Sequence, residues 1–313
     1  MADRMIKTVI NTILLAGYFS FTDIHFAEAA NTPGGESACV PGKPANEIIQ
    51  SCTKLISLPD IDGQARRTAL MIRGNTYSSL NETNLAIADY VDAQKIGYSV
   101  DVAIGLGGLY INSGKSDEAI IEFSKIIDTG NGNANIFNYR GMAFENAGKY
   151  EEAISDFNKS LLLAPNLLGA LNNRAAAYAK QGNWDAAVKD IDSVLTKNPD
   201  MPVALVNRCA FQERAGKVDL GLQSCNKAEQ LDPANYFILS NIGFIYYEVG
   251  RFKEAIAYFD RSLKLLPNDA KTLYGRGKAE EKLGQAAESE ADIAAAERIQ
   301  PDVAAFLATG GFK

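Results

Sequence analysis

The stretch "FNYRGMAFENAGKYEEAISDFNKSLLLAP", Phe137 to Pro165, spaces its apolar residues at helical intervals twice over. Phe137, Gly141 and Phe144 share one stripe, and Ala153, Phe157 and Leu161 share another. Positions three or four apart lie on one helix face, so the pattern predicts two amphipathic helices. Gly148 between them suits the left-handed residue that ends a helix, and Pro165 cannot continue the second one. "LSNIGFIYYEVGRFKEAIAYFDRSLKLLP" repeats the order with Leu239, Gly243, Tyr246, Ala255, Phe259 and Pro267.

The punctuation has a fixed period. Pro165, Pro199, Pro233, Pro267 and Pro301 are evenly spaced, and so are Gly114, Gly148, Gly182, Gly216, Gly250 and Gly284. A repeat of this length is the mark of a solenoid, in which each unit buries its apolar face on its neighbours. The order bulky, Gly, aromatic, Ala, aromatic, Pro resembles the tetratricopeptide repeat over about Arg67 to Pro301. The copies at the edges drift. Asn81 stands for glycine in "RGNTYSSLNETNLAIADY", which is one residue short, and Glu280 and Ser289 stand where tyrosine and alanine are expected.

The resemblance implies an all-α, right-handed α-solenoid of about seven helix hairpins over residues 67–300, with a concave inner face lined by the first helix of each pair. Ala45 to Leu58 reads as a lone second helix within an N-terminal cap (residues 30–66). Residues 301–313 read as a C-terminal cap. End units need such cover because one apolar side lacks a neighbour.

Aligning the copies gives two facing columns. Gly74, Gly107, Gly141, Ala175, Cys209, Gly243 and Gly277 are small. Tyr90, Phe123, Phe157, Ile191, Cys225, Phe259 and Ile293 follow, each sixteen residues on. Small against large, level along two antiparallel helices, is a contact within one hairpin. Cys209 and Cys225 hold it in one copy, so that pair is most simply a staple. Cys39 and Cys52 would tie the N-terminal loop to the capping helix. A redox centre lacks a C-x-x-C, and a metal site needs four ligands close together.

A charged column runs beside the first. Arg73, Arg140, Arg174 and Arg276 are followed, sixteen residues on, by Asp89, Asp156, Asp190 and Asp292. Leu106 and Ile242 lack the arginine, and their copies carry Glu122 and Tyr258 instead of aspartate. Arg208 faces Ser224. The pattern predicts structural ion pairs within hairpins, and Trp184 is expected to pack between hairpins.

Composition narrows the function. Net charge is −7, which argues against a nucleic-acid binder. Arg4, Lys7, the apolar run Thr8 to Phe21 and the small-x-small Ala27-Glu28-Ala29 read as an export signal over residues 1–29. Tyr18 stands where a lipobox requires cysteine, so no lipid anchor is expected. His25, the single histidine, would leave with the signal, and imidazole catalysis and imidazole metal sites with it. With no P-loop, nucleotide fingerprint or nucleophile elbow, the expectation is a non-enzymatic chain with no cofactor and no metal. It would be an exported, periplasmic or secreted scaffold for a protein or peptide. The alternative is a self-assembling envelope element without a discrete ligand.

The expected concave face changes along the chain. Asn75, Ser79, Asn112, Asn135 and Asn138 come early, and Asn172 and Lys180 in the middle. Phe237, Phe244, Tyr247 and Tyr274 come last, beside Lys271, Lys278 and Lys282. Phe237, Phe244, Tyr247, Tyr274 and Lys278 are therefore the expected contact surface for a partner with apolar side chains and an acidic group. The lysine and asparagine set of the carboxylate-clamp subfamily is not matched, because Met71 stands for its first lysine.

Overall fold

A computed structural model describes residues 39–309 of the chain. The export-signal features, His25 and the last four residues lie outside the described residues. Sixteen α-helices and no strand occur among the described residues. The first is α1 (Ala45–Ile56). Seven pairs follow: α2 (Gly63–Ser79) with α3 (Thr83–Ile96), α4 (Val100–Asn112) with α5 (Ser116–Ile126), α6 (Ala134–Asn146) with α7 (Tyr150–Leu163), α8 (Leu168–Lys180) with α9 (Trp184–Lys197), α10 (Pro202–Arg214) with α11 (Val218–Leu231), α12 (Tyr236–Glu248) with α13 (Phe252–Leu265), and α14 (Ala270–Lys282) with α15 (Ala286–Ile299). The last is α16 (Val303–Thr309). The described residues form two compact units, 39–170 and 171–309.

The hairpin turns follow from backbone chemistry. The hairpin-turn glycines Gly114, Gly148, Gly182, Gly216, Gly250 and Gly284 have φ between 73° and 77°. Only glycine enters that region freely. The first hairpin uses Asn81 at φ 62°, and asparagine is among the side chains that tolerate it best. At Gly148 the chain closes as a helix terminus should, with the Lys149 amide donating back to the Phe144 carbonyl at 2.9 Å.

Within unit 39–170 the hairpin contact is a ring laid on a glycine. A Cβ at Gly107 would stand 2.7 Å from Phe123, and one at Gly141 2.6 Å from Phe157. Both rings are fully buried. Buried Ser160 fastens the third hairpin by donating to the Ala134 carbonyl at 2.7 Å. In the first helix of that hairpin, Ile136, Met142 and Ala143 are the buried apolar side chains, while Phe137 and Phe144 are only half-buried. Their rings flank the Arg140 guanidinium at 5.9 and 5.6 Å, so they cover a cation instead of filling the core.

Successive hairpins in this unit are matched by size. Tyr90 is buried, and its hydroxyl donates to Asn75 Oδ1 at 2.6 Å. Burial holds its phenol above the usual range. Its ring occupies the space left by Gly105 of the next hairpin, where a Cβ would meet it at 2.2 Å. We expect Gly105→Ala to cost about 1–3 kcal/mol through overpacking, read as a lower midpoint in thermal unfolding. An unchanged midpoint would mean the Tyr90 ring has somewhere to go.

At the start of the unit, Cys39 and Cys52 form a disulfide with Cα atoms 4.6 Å apart. They join Ile48, Ala69 and Ile72 in one apolar cluster, which seats α1 against α2.

Unit 171–309 uses the same devices. Gly243 lies under Phe259, and Gly277 under Ile293, with Cβ clearances of 2.6 and 2.9 Å. Ser262 donates to the Tyr236 carbonyl at 2.8 Å, the same clasp one unit along. Trp184 packs on Phe211 of the next hairpin at 6.3 Å. Cys209 and Cys225 are joined with Cα atoms 5.5 Å apart. Gly221, which stands where five of the other six copies have alanine, belongs to this arrangement. A Cβ there would come within 2.9 Å of the Cys209 carbonyl oxygen. Val303 and Leu307 of α16 are buried and close the C-terminal end.

Candidate interaction face

The charged column comes first, because it fixes how the first helices stand. Arg73 grips Asp89 with two bonds of 2.9 and 2.7 Å. Arg140 does the same to Asp156 at 2.6 and 2.9 Å, Arg174 to Asp190 at 2.7 and 2.6 Å, and Arg276 to Asp292 at 2.5 and 2.9 Å. Paired parallel bonds are the strong form of this contact. The remaining guanidinium nitrogen reaches outward. Arg73 bonds Thr53 of α1, Arg140 bonds Ser124 of α5, and Arg276 bonds Asp260 of α13. Arg73, Arg140 and Arg276 thus tie their own hairpins to the second helix before each.

The copies without the pair solve the position differently. Glu122 receives Gln94 Nε2 at 2.7 Å and Lys125 at 2.8 Å. Tyr258 stacks on Tyr246 with ring centroids 5.2 Å apart and donates to Glu229 at 2.8 Å. Burial and Glu229 push its phenol up to about 12. Arg208, facing a serine, donates to Ser224 at 2.9 Å and to Asp192 at 3.3 Å.

The expected partner surface lies on α12 and α14, one unit of the repeat apart. Asn235 and Asp269 cap these helices, accepting from Ile238 and Thr272 amides at 3.3 and 3.0 Å. Tyr247, Tyr274 and Lys278 come together, and Glu248 and Glu281 stand beside them. Lys278 is ion-paired with Glu281, and that bond holds its ammonium above the ordinary value. Burial raises the Tyr247 phenol and lowers the Lys271 ammonium.

Two expectations change. Phe244 and Tyr247 are expected on the contact surface, yet Phe244 is half-buried edge-on against Phe259 at 5.0 Å and reaches under Gly275. Tyr247 is only 6% exposed and meets Phe252 at 5.4 Å. The following hairpin brings a glycine where a side chain would otherwise stand, and the ring fills the gap. Lys278 was read as a cationic rim for an acidic group, yet Glu281 already neutralises it. Phe237, Tyr274 and Lys278 remain half-buried on this face. The acids were legible in principle, since Glu281 follows Lys278 by one helical turn.

Arg214 extends the face upstream on α10, 3.4 Å from Glu213 and 3.7 Å from Glu248. Burial raises the Glu213 carboxyl above its usual range. In the other unit, Asn135 is exposed while Asn138 is buried. Asn172, of the middle group, is buried as well.

Among the described residues, no cluster of three or more His, Cys, Asp or Glu is placed to hold a metal ion. No helix among them is long and apolar enough to cross a membrane.

Comparison with known proteins agrees with the geometry. Tetratricopeptide repeat family profiles match residues 134–167, 172–236 and 236–269. No curated protein matches the chain. A tetratricopeptide repeat protein from Parabacteroides merdae superposes with a TM-score of 0.67 at 19% identity, over 78% of this chain and 98% of that one. A chain of the APC/C hetero-tetramer Cut9-Hcn1 gives 0.53 at 17% identity, over 82% of this chain and 50% of that one. At such identities the likeness is one of fold. Matched repeats, left-handed turn residues and ring-on-glycine hairpins together make this chain a tetratricopeptide repeat protein.

Proposed function

We propose that the chain is an exported scaffold that holds a protein or peptide along the first helices of its C-terminal hairpins. Stacked helix pairs of this kind serve protein–protein interaction and carry no fixed chemistry of their own. The observation that carries the site is the gathering of Tyr247, Tyr274 and Lys278 from two successive first helices. Tyr274 and Lys278 are partly open to solvent, while Phe244 and Tyr247 form the packed wall beneath them. A rigid aromatic wall beside accessible rings suits the apolar side chains of an extended segment. Glu281 already neutralises the lysine and Glu248 stands beside Tyr247, so aromatic contact, not attraction for an acid, supplies the affinity.

Export is supported by the apolar, positively started N-terminus and by two disulfides, which persist in oxidising compartments. Intact mass of the protein recovered from cells is expected to begin near Ala30, with all four cysteines protected from alkylation until reduction. Retention of residues 1–29 would contradict export by cleavage.

The site is tested with a peptide library displayed against the purified chain. Tyr274→Ala is expected to weaken selected peptides by about tenfold or more, as loss of an interface anchor does, with helical circular dichroism unchanged. If selected peptides ignore Tyr274→Ala but are lost on Asn135→Ala, the site lies on the other unit. If none is selected and light scattering shows self-association, the self-assembling reading replaces this one.

A further inference from the structure

The position occupied by Glu280 differs from its equivalents in every other hairpin. Those equivalents are Tyr77, Tyr110, Phe144, Tyr178, Gln212 and Tyr246. Each faces the residue twelve positions on, at the charged column of the second helix. The stack of Tyr246 on Tyr258 and the bond from Ser224 to Gln212 at 3.2 Å show the two positions in contact. In the first four hairpins a ring lies beside one carboxylate, and in the next two there is no carboxylate at either place. The last hairpin alone sets two together, Glu280 and Asp292.

The neighbourhood cannot satisfy both as anions. Glu280 is 8% exposed, and its Oε2 has no hydrogen-bond partner. The nearby cation is Arg276, whose Nε lies 3.9 Å from Glu280 Oε1. That guanidinium is already committed, with two bonds to Asp292 and one to Asp260 at 2.6 Å. One positive charge therefore stands among three carboxylates, one of them buried with an oxygen that has no hydrogen-bond partner. Glu288 on α15 adds a fourth acid nearby. The C-terminal helix α16, "VAAFLAT", brings no titratable side chain. A buried carboxylate without partners is costly as an anion and far less so as an acid, whose hydroxyl donates.

We propose that Glu280 is a proton-binding site that couples the tightness of the last hairpin, α14 with α15, to pH. Burial first, then the charge of Asp292, raises its carboxyl to about 7 against an ordinary 4.5, and Arg276 offsets only part of this. The folded chain holds the proton more tightly than the unfolded chain does. Acidification from neutrality toward the ordinary carboxylate range therefore stabilises the hairpin. The gain disappears as pH rises through about 7. Asp292 is doubly bonded to Arg276 while Glu280 Oε2 is unbonded, so the glutamate is the site where a proton is gained.

The test uses the full chain and does not depend on any partner. Carbon-13 NMR follows the Glu280 carboxyl, assigned through its own backbone, and hydrogen exchange follows the amides of α14 and α15. Between about pH 7.5 and 5.5, protection of those amides is expected to rise roughly tenfold in the wild type. In Glu280→Gln, protection is expected to be high at both values and independent of pH. A Glu280 carboxyl titrating in the ordinary range would overturn the proposal without recourse to any variant. So would the same pH dependence of protection in Glu280→Gln.

Discussion

Arg140→Ala is expected to cost about 3–5 kcal/mol, the usual result of leaving a buried charge without its partner. Asp156 is 2% exposed, and its carboxylate oxygens are both held by that guanidinium. The loss is larger than a hairpin contact alone would suggest, because Arg140 also bonds Ser124 of the preceding hairpin. Replacing both partners by leucine should cost much less than the single substitution, since no charge is then stranded. Urea unfolding of the wild type and the two variants measures this. A double variant as unstable as Arg140→Ala would show that the bridge to Ser124 and the rings of Phe137 and Phe144, not the stranded carboxylate, carry the energy.

Cys209→Ser is expected to remove about 3 kcal/mol, from the chain-entropy estimate for a loop of this length. The local packing adds to that. Both cysteines are fully buried at a level where other hairpins carry a ring or an isoleucine. Gly221 lets α11 approach the Cys209 backbone, where a Cβ would stand 2.9 Å from the carbonyl oxygen. Serine restores neither the bond nor the missing volume. Differential scanning calorimetry of the oxidised wild type, the reduced wild type and Cys209→Ser should show both treated forms unfolding at lower temperature. An unchanged midpoint in Cys209→Ser would mean that packing alone holds this hairpin.

Much of the fold was legible because it repeats. The glycine and proline intervals, the small-against-large column and the Arg–Asp spacing describe relations inside one hairpin, and helical periodicity reports those directly. Relations between hairpins were less legible. The reach of Arg140 to Ser124, the seat of Tyr90 on Gly105 and the covering of Phe244 by Gly275 depend on the rotation of one helix pair against the next. No single helix encodes that rotation. The candidate face suffered most from this. Tyr247 shares its column with Glu213 and Glu281, so its place in the repeat allows exposure. The ring of Phe252 removes it.

The seating of Tyr90 on Gly105 bears on the history of the gene. Tandem copies invite unequal crossing-over, and a chain matched only to a shared consensus could shed a unit and close again. Deleting the α4–α5 unit would bring Tyr139 to the place of Gly105, where even a methyl group would lie 2.2 Å from the Tyr90 ring. Tyr139 itself is accommodated beside Phe123, with centroids 5.8 Å apart. Tyr90 is thus fitted to one particular neighbour, and loss of the unit between would oblige its ring to repack around Tyr139.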